Sequence, residues 1–153
     1  MTVLITGAAR GLGLRLAEKF AREGHEVAAA ARDMSKADGL LKLAGECRRI
    51  HPCEMDVSDW DSVSRCAGQV GKEFPSVDIL INNAGVLFES DKVNRIMDVE
   101  VDVLRQTIAV NVEGPILVLK AFYPMLQASP APRFYVVTSE STMNGHWYGF
   151  NVL

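Results

Sequence analysis

The chain is short of cysteine, of positive charge and of long apolar runs, and each shortage argues against a class of protein. Its 153 residues include three cysteines, spaced without a metal-binding pattern, so neither a disulfide framework nor a metal centre is predicted. The net charge of −3 argues against broad nucleic-acid binding. No apolar run reaches the roughly 20 residues of a membrane span, and no signal peptide is visible. We therefore expect a cytoplasmic protein without nucleic-acid or membrane partners.

What is present fits one globular domain with alternating strands and helices. Hydrophobic residues make up 48% and charged residues 23% of the chain. The hydrophobic pattern predicts strands at residues 2–6, 26–31, 49–55, 78–81 and 134–137. It predicts helices at residues 12–23, 36–47, 59–72 and 101–126, with Asp59 as a cap and a kink or restart at Gly114-Pro115. Residues 87–98 are polar and irregular.

This alternation predicts an α/β fold, a doubly wound parallel sheet of the Rossmann-like type. Helices then cover both faces of the sheet. Ligands of such folds bind at the carboxyl ends of the strands. The glycine-rich turn, Asp56, Asn83 and Ser139 each follow a predicted strand, so we expect them to line one edge.

The most informative segment is the turn at residues 6–13, between the first strand and the first helix. It contains Gly7, Gly11 and Gly13, spaced G-x-x-x-G-x-G, which is neither the common G-x-G-x-x-G motif nor a P-loop. A helix N-terminus offers unpaired N–H groups and a positive dipole end, and glycines let a phosphate approach them. The glycines alone would also fit a turn without a ligand, but their position favours a nucleotide.

Five motifs, in order, resemble those of the short-chain dehydrogenase/reductase family. They are the turn from Thr6 to Gly13, Asp56-Val57, Asn82-Asn83-Ala84-Gly85, Asn111 and Ser139. The resemblance implies an NAD(P)(H)-dependent oxidoreductase that interconverts a carbonyl and an alcohol by hydride transfer, acting on a small molecule as a homo-oligomer. It implies catalytic roles for Ser139 and Asn111. The cofactor-binding residues it indicates are Gly7, Ala9, Arg10, Gly11, Leu12, Gly13, Arg32, Asp56, Val57, Asn83, Ala84 and Gly85.

The residues themselves leave alternatives open at several of these positions. Asp56 could accept a hydrogen bond from an adenine amine, or it could cap a turn toward Ser58. Asn83 carries both a donor and an acceptor suited to a ribose. Ser139 could cap a turn, and Asn111 could be a polar contact inside a helix.

The end of the second predicted strand favours NADP(H), although NAD(H) is possible. An acidic residue there would select NAD, but Ala31 takes that place and Arg32 follows. Arg10 supplies a second guanidinium, and two guanidiniums can clamp a phosphate. Asp33 could instead pair with Arg32 and weaken that clamp.

The sequence departs from the family at the catalytic tyrosine and lysine. Tyr148 lies too close to Ser139, and Val152 stands four residues later where the family has lysine. We therefore expect residues 1–153 to form an NADP(H)-binding Rossmann-type domain that is incomplete at its C-terminus and lacks the family's last strands and helices. The alternative is a non-catalytic NADP(H)-binding or cofactor-sensing protein. The substrate is not indicated.

Overall fold

A computed structural model of the chain describes residues 1–88 and 98–138. The strands are β1 (Thr2–Ile5), β2 (Glu26–Ala31), β3 (Ile50–Glu54), β4 (Ile79–Asn82) and β5 (Arg133–Val136). The helices are α1 (Gly11–Arg22), α2 (Asp38–Glu46), α3 (Trp60–Glu73), α4 (Val101–Ile108) and α5 (Gly114–Gln127). A 3₁₀ turn (Met34–Lys36) precedes α2, and a π-helical turn (Ala109–Glu113) joins α4 to α5. Ser139 and Tyr148 lie outside the described residues.

The five strands form one parallel sheet in the order β3-β2-β1-β4-β5. The chain runs outward from β1 through β2 to β3, and then returns to β4 and β5 on the other side of β1. The direction of winding therefore reverses between β1 and β4. A crevice opens at such a point in open α/β sheets, beside the carboxyl ends of the strands. The predicted doubly wound parallel sheet is confirmed.

Two apolar layers cover the sheet because successive strand residues point to opposite faces. Leu4 and Leu80 lie on one face, in a cluster that includes Val63, Phe122 and other side chains of α3 and α5. The strand residues that alternate with these, including Ile5, lie on the other face with side chains of α1 and α2. Strand β5 differs, since all four of its residues are exposed within the described part of the chain.

Helix α1 approaches the sheet along a line of small residues. Gly13, Ala17 and Ala21, spaced by four, are its buried residues. Leu12, which hydrophobicity alone would group on one side of the helix with Ala17 and Ala21, is instead 55% exposed. The helix turns about 100° per residue, and the close approach at Gly13 directs the neighbouring Leu12 away from the sheet.

The helix from Val101 to Gln127 continues through the π-helical turn. By length and composition alone its 27 residues could cross a membrane, although the sequence contains no unbroken apolar run of that length. A helix on the core of a globular protein passes the same test, and α5 buries Val118, Phe122 and Leu126 against the sheet and α3. These three side chains join the core, while 17% of the most apolar window of the helix is buried.

The remaining elements lie close to their predicted positions. Asp59 caps α3 by accepting a hydrogen bond from the Asp61 N–H, as predicted. Strand β3 forms despite Pro52 because it stands at an edge of the described sheet, where a missing N–H is tolerated. The second helix was predicted from residue 36, but α2 begins at Asp38 because residues 34–36 form the 3₁₀ turn.

Asp78 ties the amino ends of three strands together. Its Oδ2 accepts from the Thr2 N–H at 2.7 Å, and its Oδ1 accepts from the Ser129 hydroxyl at 2.6 Å. Its carbonyl accepts from the Arg133 N–H, which begins β5. The Ser129 hydrogen bond lowers the pKa of Asp78 below its usual value, with a smaller contribution from the Thr2 N–H.

We expect Asp78→Asn to destabilise the protein at neutral pH by about 1 kcal/mol, because charge-assisted hydrogen bonds are weakened. The folded-state pKa of Asp78 is depressed, so its contribution is present above the unfolded pKa and is lost as the pH falls through the folded pKa. Urea unfolding at several pH values measures this. The prediction would be contradicted if the free energies of unfolding of the wild-type protein and of Asp78→Asn differed by a constant amount down to pH values below the usual Asp pKa.

Candidate functional site

A cleft of about 520 Å³ opens at the carboxyl edge of the sheet, where the winding reverses. It is bordered by the turn after β1, the end of β2, the segment after β3, the segment after β4 and the π-helical turn. Its lining residues are Gly7, Ala9, Arg10, Gly11, Ala31, Arg32, Asp33, Lys36, Met55, Asp56, Val57, Asn83, Ala84, Gly85, Val86 and Val110.

The glycine turn has two positions that require glycine for different reasons. Gly7 has φ of +67°, and a Cβ there would lie 2.8 Å from the Ala84 Cα, so the turn packs directly on the segment after β4. Gly11 has φ of +57°, with nothing within 4 Å of where its Cβ would stand. The backbone of Gly11 is therefore accessible from the cleft that it lines.

The N-terminus of α1 is open to a ligand. Arg10 is the N-cap residue, but its side chain makes no capping hydrogen bond, and the first turn contains no acidic residue. The first N–H groups of a helix lack intrahelical partners, and the helix dipole places positive charge there. This end of α1 therefore suits a phosphate group.

Thr6 and Asn83 fix the turn to β4. The Thr6 hydroxyl oxygen accepts from the Asn83 N–H at 3.0 Å and from the Ala84 N–H at 2.9 Å. The Asn83 Nδ2 donates to the carbonyls of Thr6 and Gly7 at 3.0 and 3.2 Å. The Nδ2 of Asn83 thus holds the glycine turn. The Oδ1 of the same side chain makes no hydrogen bond among the described residues. Asn82 ties β4 to the start of α5, because its Nδ2 donates to the Pro115 carbonyl.

The segment after β3 is shaped by Asp56. Its Oδ1 accepts from the N–H and the hydroxyl of Ser58, at 3.0 and 2.6 Å, so the turn considered as an alternative for Asp56 is present. Its own N–H donates to the Ser62 hydroxyl. The next residue, Val57, contacts the start of α5, where a Cβ on Gly114 would lie 2.9 Å from the Val57 Cγ2. Asp56 and Val57 both line the cleft with their positions fixed.

Arg10 and Arg32 bring two positive charges to the cleft. Both are exposed, and neither forms an ion pair within residues 1–88 and 98–138. Asp33 does not pair with Arg32. It accepts from the N–H and hydroxyl of Ser35 and forms an ion pair with Lys36 at 3.0 Å. The expectation that Asp33 could neutralise Arg32 is therefore not met.

Asn111 lies in the π-helical turn and joins it to the segment after β4. Its Oδ1 accepts from the Val86 N–H at 2.9 Å, and its Nδ2 donates to the Val86 carbonyl at 3.0 Å. Both ends of the amide are engaged, so the side chain holds the cleft wall formed by Ala84, Gly85 and Val86. π-helical turns inside α-helices are frequent at functional sites.

A family model described as short chain dehydrogenase matches residues 1–149. The chain belongs to this family. The short chain dehydrogenase tazN of Aspergillus terreus is 37% identical over 142 residues, which cover 89% of this chain and 30% of that protein.

Two solved structures are similar in fold to this chain. A putative short-chain dehydrogenase/reductase from Burkholderia xenovorans has a TM-score of 0.88 at 24% identity, covering 99% of this chain and 64% of that one. A 3-ketoacyl-ACP reductase from Sinorhizobium meliloti has a TM-score of 0.82 at 28% identity, covering 93% and 55%. The chain thus spans between about a third and two thirds of the length of these three proteins.

Most of the residues that the sequence indicates for the cofactor line this cleft. Leu12 and Gly13 do not line it. Gly13 is buried, and a Cβ there would lie 2.3 Å from the Gly7 carbonyl oxygen, so it supports the turn from behind. Ser139 lies outside the described residues.

Sequence reasoning missed some contributors to the site. It did not predict the hydrogen bonds between the Thr6 hydroxyl and the segment after β4, although Thr6 stands next to the first glycine of the motif. It also missed Met55, Val86 and Val110, which line the cleft as sequence neighbours of predicted site residues. Lys36 is the least expected, because it lies in a segment that was assigned to a helix.

Proposed function

We propose that residues 1–153 form an NADP(H)-binding domain of an oxidoreductase that interconverts a carbonyl and an alcohol by hydride transfer. The observation that carries this proposal is the combination, in one cleft, of an uncapped helix N-terminus and two arginines without ion-pair partners in the described chain. The first feature suits a pyrophosphate, and the second suits a further phosphate.

The groups along the cleft suit the parts of a dinucleotide. It extends from the end of β2 to the π-helical turn, across the point where the winding reverses. Gly11 leaves open space above the backbone at the start of α1. Asp56 and Val57 provide a carboxylate and an apolar surface for an adenine, and the Oδ1 of Asn83, which has no partner among the described residues, can accept from a ribose hydroxyl.

The preference for NADP(H) over NAD(H) rests on the end of β2. No carboxylate stands at Ala31, where it would bond ribose hydroxyls and repel a 2′-phosphate. Arg32 follows it, and Arg10 projects from the glycine turn that borders the same cleft. Because Asp33 is engaged by Ser35 and Lys36, it does not cancel the charge of Arg32 through an ion pair.

The bound cofactor would supply or accept the hydride at the nicotinamide. On the protein side, Asn111 keeps the segment from Ala84 to Val86 in place through its two bonds to Val86. The family resemblance gives Ser139 the role of bonding the substrate oxygen, where developing negative charge needs a donor. The 3-ketoacyl-ACP reductase, named for reducing a keto group, supports a carbonyl as the substrate.

The setting proposed for the whole protein is a homo-oligomer in the cytoplasm. Exposed apolar side chains on the long helix, at Val112, Ile116 and Tyr123, suit contact with another subunit. The three cysteines are free thiols, which fits a reducing compartment.

Isothermal titration of the chain with NADPH and with NADH tests the proposal. We expect binding of both, with NADPH at least about tenfold tighter, since an additional phosphate meets two guanidiniums. Absence of binding for both cofactors would overturn the proposal. Equal affinity for the two would overturn the NADP(H) preference and leave the dinucleotide site standing.

A further inference from the structure

A third cation, Lys36, lines the same cleft beside the end of β2. It ends the 3₁₀ turn (Met34–Lys36) that follows Arg32 and Asp33. Its side chain is 82% exposed, and its Nζ lies 3.0 Å from the Asp33 Oδ2. The ammonium is therefore held at the rim of the cleft by an exposed ion pair.

Asp33 is fixed independently of Lys36. Its Oδ1 accepts from the Ser35 N–H at 3.0 Å and from the Ser35 hydroxyl at 2.6 Å, so this carboxylate caps the 3₁₀ turn. The bond from the Ser35 hydroxyl, followed by that from Lys36, lowers the pKa of Asp33, which keeps the carboxylate ionised at neutral pH. Lys36 uses only the other oxygen, Oδ2, and exposed ion pairs of this kind are weak and easily exchanged.

Lys36 makes the lining of the cleft net positive. The charged residues of the lining are Arg10, Arg32 and Lys36 against Asp33 and Asp56, a formal net charge of +1. Without Lys36, the two carboxylates would balance the two arginines. A phosphate monoester carries between about −1.5 and −2 at neutral pH, so the added positive charge favours it.

We propose that Lys36, positioned by Asp33, is a specificity-determining residue that recognises the 2′-phosphate of NADP(H). This inference rests on the proposed function and adds to it a residue that the glycine motif and the end of β2 do not include. Asp33 is then a positioning residue, whose turn presents the ammonium to the cleft, and not a ribose ligand.

The test compares Lys36→Ala with the wild-type chain, using 2′,5′-ADP and 5′-AMP as probes beside NADPH and NADH. We expect the variant to bind NADPH and 2′,5′-ADP about three- to fivefold more weakly, as for loss of an exposed ion pair, with NADH and 5′-AMP unchanged. Lys36→Arg should restore most of the affinity. The loss should shrink at high salt, because exposed charges are screened.

Lys42→Ala is the matched control, since Lys42 is an exposed lysine of α2 that does not line the cleft. Equal effects of Lys36→Ala and Lys42→Ala on 2′,5′-ADP would overturn the role of Lys36, as would equal weakening of NADPH and NADH. If the wild-type chain prefers NADPH, such results leave the proposed function intact. If the wild-type chain shows no preference for NADPH, the preference and this inference both fail.

Discussion

Gly13→Ala is expected to destabilise the protein by about 2–4 kcal/mol and to abolish cofactor binding. A Cβ at this buried position would lie 2.3 Å from the Gly7 carbonyl oxygen and 2.6 Å from the Asn83 Nδ2. Overpacking of this kind costs about 1–3 kcal/mol, and displacing Asn83 adds the loss of its bonds to the turn. The gain in helix propensity, about 1 kcal/mol, offsets only part of this.

The matched control for this change is Gly68→Ala in the middle of α3. Nothing lies within 4 Å of the position of its Cβ, so only the propensity gain of about 0.5–1 kcal/mol should appear. Urea unfolding followed by circular dichroism measures both variants. If Gly13→Ala were as stable as the wild-type protein, the close contact between α1 and the glycine turn would not exist in solution.

Arg32→Asp is expected to weaken NADPH binding by about 30-fold while changing NADH binding less than about threefold. The substitution replaces attraction of the 2′-phosphate by repulsion, worth about 2 kcal/mol at a solvent-exposed site. It also places a carboxylate near the position that would bond ribose hydroxyls, so NADH should not suffer. Titration calorimetry with each cofactor gives the ratio of affinities.

Arg48→Asp makes the same charge change at the other end of the sheet. Arg48 is exposed and precedes β3, whereas the cleft follows the carboxyl ends of the strands. It should leave both affinities near the wild-type values. Equal losses of NADPH affinity in the two variants would mean that net charge, and not a local contact at Arg32, attracts the cofactor.

The architecture could be predicted from the sequence because its signals are local and strong. Apolar runs such as Val3-Leu4-Ile5 alternate with segments whose apolar residues have helical spacing. This alternation indicates a parallel sheet with both faces covered. The strand, glycine and helix pattern located the turn between Thr6 and Gly13, and most of the residues predicted to bind a cofactor line one cleft.

The remaining features depend on contacts between distant or competing partners. A carboxylate at Asp33 can pair backward with Arg32 or forward with Ser35 and Lys36, and only the 3₁₀ turn decides between them. The pairing of Asn111 with Val86 joins segments 25 residues apart. Hydrophobicity alone would group Leu12 with the buried residues of α1, whereas the close approach of Gly13 sets the orientation of that helix.

The central claim is that the cleft beside the glycine turn binds NADP(H), and chemical-shift mapping of the ¹⁵N-labelled chain during titration with NADP⁺ tests it most directly. We expect the largest shifts in the amides of Gly11, Arg32, Val57 and Ala84, which line that cleft. A second cleft, bordered by His51, Cys53 and Phe74, provides an internal comparison and should show none. Shifts confined to this second cleft, or no shifts at saturating cofactor, would contradict the account.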